Sequence, residues 1–194
     1  MRNLMYKRAQ NGLRPLRLLQ LFAALGGLIG ISFDVTAQTC SSSIGRTRPD
    51  SRYELVTGAT PAGSEVRDKV TGLIWQRCVQ GMTWNGSTCS GVAIMRDWGA
   101  ALDQGRTAVA TSATPATPWR VPNRVELLSL PERACHLPAI NTAWFPAEPG
   151  GWVWSSSPLS DYPERAWNVY FDYGNDSYAN KGDAGAVRLV RSGQ

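Results

Sequence analysis

Residues 152–191 read WVWSSSPLSDYPERAWNVYFDYGNDSYANKGDAGAVRLVR, and their patterning decides what kind of fold the chain makes. Side chains alternate across a strand. In the middle of this stretch Trp167, Val169 and Phe171 therefore fall on one face, and Asn168, Tyr170 and Asp172 on the other. The first set suits a core. The second continues through Tyr173, Asn175, Asp176, Tyr178 and Asn180, a mixture of amphipathic aromatics and short hydrogen-bonding groups that suits recognition. A closing run, Ala186 to Arg191, reads as a last strand that pins this surface to the fold. The expectation is a half-molecule that binds something and does no chemistry.

Residues 1–37 stand apart from the fold. Arg2, Lys7, Arg8, Arg14 and Arg17 form a basic region, Leu18 to Phe33 is apolar and uncharged, and Val35-Thr36-Ala37 offers the small residues of a cleavage site. The apolar run is shorter than the roughly 20 residues that span a bilayer. This is the pattern of a secretory signal peptide, with an uncleaved N-terminal anchor as the alternative. After cleavage no membrane insertion is expected, and the chain is secreted, periplasmic or at the cell surface.

The leader also carries most of the charge excess. The whole chain has 20 Lys+Arg against 15 Asp+Glu; the leader holds five of the bases and one acid, which leaves 15 against 14. Bulk charge therefore does not support attraction to nucleic acid or anionic membranes, which leaves only a local basic patch, and no nucleic-acid partner is expected. The remaining chain divides into an N-terminal segment, 38–52, and one domain, 53–194, long enough for a core.

Cys40, Cys78, Cys89 and Cys135 belong to a chain expected in an oxidising compartment, where disulfides persist. Three pairings are open. Cys78–Cys89 is favoured because Asn85-Gly86 between them is a tight-turn signal, and Cys40 would then pair with Cys135. No metal site is expected, since there is no CxxC and only one histidine, His136. No cofactor is expected either.

Along the chain, Tyr53 to Val56 suits a first strand and Glu65 to Trp75 a strand-turn-strand broken at Thr71-Gly72. Met95 to Gly105 has helical spacing, with Trp98, Ala101 and Leu102 on one face. Residues 107–118 are Thr/Ala/Pro-rich and read as a surface loop. Asn123 and Glu126 form a capping-box pattern before a short helix with Leu127, Leu128 and Leu130, which Pro131 ends or kinks. The sum is α+β: a small, mostly antiparallel sheet, two short helices and long loops.

Several ordered segments share one family's pattern. They include Thr71-Gly72-Leu73-Ile74-Trp75-Gln76, the Cys78…Trp84-Asn85-Gly86…Cys89-Ser90-Gly91 loop, and Trp119-Arg120-Val121-Pro122-Asn123-Arg124. Further on come Trp154-Ser155-Ser156-Ser157, Ala166-Trp167-x-Val169-x-Phe171, and Val187-Arg188-Leu189-Val190-Arg191. Over roughly residues 53–191 the chain resembles the Lcl C-terminal-domain family, named for the C-terminus of the Legionella collagen-like adhesin. The resemblance implies a C-type-lectin-like fold of the variety shared with formylglycine-generating enzymes. It also implies a bacterial exported protein and an adhesin role, known best for binding sulfated polysaccharide. The chain departs from lectins that use calcium, because Glu148-Pro149 is followed by Gly150 and Trp167-Asn168 by Val169. In many proteins of this fold a C-terminal segment like Asn168–Asn180 is hypervariable, which makes a diversified, protein-binding surface the alternative to a glycan-binding one.

Candidates for chemistry are weak. His136 has no G-x-S-x-G serine, Ser155 to Ser157 suit backbone satisfaction, and Asp161, Glu164, Asp172, Asp176 and Asp183 suit solvated loops. Arg120, Arg124 and Arg188 suit loop bracing, with Glu126 and Asp68 as partners, while Arg165 and Lys181 suit contact with an anionic glycan. The expectation is a non-enzymatic module whose partner is a glycan or a cell-surface protein. A formylglycine-generating-type enzyme, which needs reactive cysteines, is the third reading.

Overall fold

Local signals build the first elements. The computed structural model describes residues 38–108 and 118–193; the expected leader, 1–37, and nearly all of the Thr/Ala/Pro loop lie outside the described residues. Strands β1 (Thr39–Cys40), β2 (Tyr53–Leu55), β3 (Glu65–Asp68) and β4 (Leu73–Gln76) come first. Gly72, at φ 73°, lets the chain reverse between β3 and β4, where Thr71-Gly72 breaks the alternation. Strands β5 (Met82–Trp84) and β6 (Cys89–Gly91) pair across the expected tight turn. There the Asn85 side-chain oxygen accepts from the amides of Ser87 at 3.0 Å and Thr88 at 2.9 Å.

Helix α1 (Trp98–Thr107) starts later than the apolar spacing suggests, because Asp97 caps it and accepts from the Ala100 amide at 2.9 Å. Its buried Gly105 lies against the Trp119–Val121 strip, where an added Cβ would come within 2.8 Å of the Arg120 Cα. Helix α2 (Arg124–Leu127) carries the expected capping box: Asn123 accepts from the Glu126 amide and the Glu126 carboxylate from the Asn123 amide, both at 2.8 Å. It is a single turn, and Leu127 and Leu130 behind it are fully buried.

The remaining strands are β7 (Cys135–His136), β8 (Trp152–Pro158), β9 (Arg165–Tyr170), β10 (Asn175–Asn180) and β11 (Val190–Ser192). All strand pairs are antiparallel and form sheets ordered β11-β4-β3-β2, β10-β9-β8, β5-β6 and β1-β7. The architecture is α+β, as the sequence reading expects. Disulfides Cys78–Cys89 and Cys40–Cys135 close the β5–β6 hairpin and tie β1 to β7. The β1 strand lies in the 38–52 segment, whose polar sequence gives no strand signal.

The β8–β9–β10 sheet is covered on both faces, and this corrects the reading of its central strand. Val153, Val169 and Phe171 pack with Leu127, Leu130, Ile140, Phe145 and Trp75. On the other face Trp154 and Ala166 pack with Ile74, Ala101, Trp119, Val187 and Leu189. Asn168 is therefore buried at 1 % exposure, not presented to solvent. Trp167 is only half-buried, since one turn of α2 is too short to cover that end of the strand. Alternation identifies an outer face only when one face is wet. The closing run also differs: only Val190 onward pairs with β4, while Ala186 makes a parallel bridge to Val153.

Candidate functional site

Where α2 stops short, one continuous row of side chains is left half-open. The β9–β10 register sets Tyr178 opposite Trp167, and their rings meet edge-to-face at 6.0 Å. The Arg124 guanidinium, at the first position of α2, lies 3.7 Å from the centre of the Trp167 ring. At the other end Arg165 lies 5.4 Å from the Tyr178 ring and 5.0 Å from the Tyr162 ring. The order is Tyr162, Arg165, Tyr178, Trp167, Arg124: aromatics alternating with cations. Tyr162 and Tyr178 are 49 % and 48 % exposed, so their rings are half open to solvent.

The row is braced from beneath. Asp176 accepts from the Arg124 Nε at 2.6 Å and pairs with its guanidinium. The Ser157 hydroxyl accepts from the Arg124 amide at 3.0 Å, and Ser155 donates to the Trp167 carbonyl at 2.8 Å. Both serines thus satisfy backbone, as expected of that run. Arg120 grips Glu126 through both terminal nitrogens at 2.7 and 2.6 Å, fixing the turn that carries Arg124. That hydrogen bond holds the Arg120 guanidinium above its ordinary value.

The row is close to charge-balanced. Arg124 has Asp176, and Arg165 has Glu164 at 3.5 Å. Lys181 is engaged as well: its Nζ donates to the Pro163 carbonyl at 2.6 Å and lies 4.4 Å from the Trp98 ring centre.

The residues expected to form one recognition face are spread over several places. Tyr178 and Asp176 belong to the row, and Asn180 is exposed at the end of β10, its amide donating to Asp183 at 3.1 Å. Asn175 is exposed on the strand's opposite face, opposite Tyr170, which is half-buried against Trp152 at 5.6 Å. Asp172 accepts from the Gly151 amide at 3.2 Å. Tyr173, 66 % exposed, instead borders a groove of about 560 Å³ beside the Cys40–Cys135 disulfide, with Ile44, Arg133 and the exposed His136. Asn168 reaches no surface.

Sequence reasoning missed Arg124 and Tyr162 as surface partners and placed Trp167 in the core. The turn Phe171-Asp172-Tyr173-Gly174 held the missing information: closing it with Tyr170 opposite Asn175 necessarily sets Trp167 opposite Tyr178.

The arginines expected to brace loops do so with partly different partners. Arg188, fully buried, donates to the carbonyls of Gln76 and Arg77 at 2.8 and 2.7 Å and pairs with Glu148. Asp68 is held by Arg52, not by any of the three. Among the described residues no group of three or more His, Cys, Asp or Glu side chains could hold a metal ion. No helix among them is long and apolar enough to cross a membrane.

A family model described as the Lcl C-terminal domain matches residues 64–191. Among curated proteins and among solved structures, nothing matches the chain.

Proposed function

The chain belongs to the Lcl C-terminal domain family, and from that premise we propose that it is an exported, non-enzymatic adhesin-type domain that binds polysaccharide along the Tyr162–Arg124 row. One observation carries the reading: three aromatic rings and two guanidinium groups, half-open, lie in sequence across one face of the β8–β9–β10 sheet. Sugar rings stack on such faces, and the flanking Asn180 and Asp176 add short hydrogen-bonding groups. Because each stacked arginine has a carboxylate beside it, the row favours stacking over bulk attraction of anions. Export is supported by the expected leader and by two disulfides, which persist outside reducing compartments.

A second reading, a protein partner, is favoured by the position of β10 at the edge of its sheet, where an added strand could pair. The formylglycine-generating reading has less support, since all four cysteines are joined in disulfides. Glycan-array binding by the wild-type protein should be lost in the Trp167→Ala, Tyr178→Ala double variant, with the circular dichroism spectrum unchanged. Array binding that survives the double variant refutes the row as the site.

A further inference from the structure

A second site lies apart from the row, in the half of the sequence where no ligand residue is expected. Between the Thr60–Ser64 turn, β3, β4 and the β5–β6 hairpin is a cavity of about 210 Å³. Its apolar wall is Trp84 and Met82. The indole is fixed on two sides: its Nε1 donates to the Ala62 carbonyl at 3.1 Å, and the Arg77 guanidinium lies 3.8 Å from the ring centre. The Cys78–Cys89 disulfide and the hairpin turn hold this wall in place without a ligand.

The polar side of the cavity is built from two amides. Gln80 donates to the Gln76 side-chain oxygen at 2.6 Å. That bond uses one donor group and one acceptor, and leaves the NH₂ of Gln76 and the carbonyl of Gln80 with no other protein partner among the described residues. Reversing both amides leaves the same complement, one donor group and one acceptor side by side. The Ser64 hydroxyl lines the same space. Glu65 also lines it at 1 % exposure, and its carboxylate accepts from Arg191 at 2.8 Å.

These features select a chemistry by exclusion. A cationic ligand is disfavoured, because the buried carboxylate already faces its own arginine. An anionic ligand meets no suitable cation, since the three guanidinium nitrogens of Arg77 donate to the carbonyls of Trp144, Gly63 and Ala143. A purely apolar ligand would leave the amides and the hydroxyl dry, at about 1–3 kcal/mol for each unpaired group. What remains is an uncharged group with neighbouring hydroxyls and one apolar face. The volume, below the roughly 300–1,000 Å³ typical of drug-sized pockets, admits a single ring.

We infer that this cavity, walled by Trp84 and floored by the Gln76–Gln80 amide pair, is a binding subsite for one neutral pyranose residue. Vicinal hydroxyls take the free donor and acceptor of the amide pair, and the C–H face of the ring lies on the indole. The subsite is independent of the Tyr162–Arg124 row and stands or falls separately from it.

The test follows the indole N–H resonance of Trp84, assigned with Trp84→Phe, in the disulfide-bonded protein. The probes are the methyl glycosides of glucose, galactose, mannose and N-acetylglucosamine, with N-acetylarginine amide and methyl sulfate as charged comparisons. At least one glycoside should shift Trp84 with a Kd of about 1–10 mM, the range of a single weakly held ring. Gln80→Ala and the shape-conserving Gln76→Leu should each weaken that Kd at least about tenfold, the equivalent of one good hydrogen bond. Tyr178→Ala should leave it unchanged. No Trp84 shift with any of the four glycosides, or an affinity indifferent to both glutamine variants, overturns the inference. A stronger response to either charged probe overturns the assignment of a neutral ligand.

Discussion

Replacing Asn168 by leucine should make this protein more stable. Asn168 lies on the central strand between Trp154 of β8 and Ser177 of β10, on the face that packs with Ala166. It is 1 % exposed, and neither its side-chain nitrogen nor its oxygen has a partner among the described residues. In the unfolded chain both atoms are hydrated, so folding removes two polar groups from water without replacing their bonds. Leucine has nearly the same shape, keeps the backbone ladder and fits the surrounding apolar side chains. Deleting an unsatisfied buried polar group is worth about 1–3 kcal/mol. Taking about 2 kcal/mol and a urea slope of about 2 kcal/mol/M, the midpoint rises by about 1 M. For a chain of this size the melting temperature rises by roughly 4–8 °C. Array binding through the row should not change, because Trp167 and Tyr178 face the other side of the sheet. A lower urea midpoint would refute the reasoning, by showing that the amide is satisfied in solution.

Two further outcomes concern charge. Removing one member of the buried Arg188–Glu148 pair by Arg188→Met should cost about 3–5 kcal/mol, read as a lower urea midpoint, and adding Glu148→Leu should recover much of it. Acid should also destabilise the fold. Burial alone raises Asp68, Glu126 and Glu132, but hydrogen bonds outweigh it: from Arg52, Val70 and Thr71 to Asp68, from Arg120 and Asn123 to Glu126, and from Ala134, Thr47 and Arg48 to Glu132. All three lie below their ordinary values, so their stabilisation is complete above the unfolded carboxylate range, near pH 4, and is lost as pH falls through the lower folded values. Glu148, raised by burial, acts in the opposite sense and offsets part of the loss. The urea midpoint should fall between pH 5 and pH 3; an unchanged midpoint would contradict the balance of three against one.

Much of the fold was legible where the signal was local. The Thr71-Gly72 turn, the Asn85-Gly86 hairpin between two cysteines and the Asn123/Glu126 capping box each act within a few residues, and each forms as read. The site was legible only in part. Tyr178 and Asp176 were found because their residue types suit a surface, but Trp167 and Asn168 were exchanged between core and surface. The cause is the double cover on β9, which removes the alternation that normally marks a wet face. Arg124 was read as a loop brace in preference to an anion ligand, with Glu126 or Asp68 as its partner, because its actual partner Asp176 is 52 residues away, beyond any local pattern.

The double cover has one more consequence, for the order in which the molecule can assemble. The Ala186–Val190 run contributes Ala186 and Val190 to one apolar cluster and Val187 and Leu189 to the other, while Arg188 reaches the Gln76 carbonyl across 112 residues of sequence. Neither cluster closes until that run arrives. Such distant closure makes folding slow, because the entropy of bringing the ends together must be met before either cluster forms. On the export route proposed above, a chain that stays open until its last strand docks can be threaded through a narrow translocation pore first, and fold and oxidise on the far side.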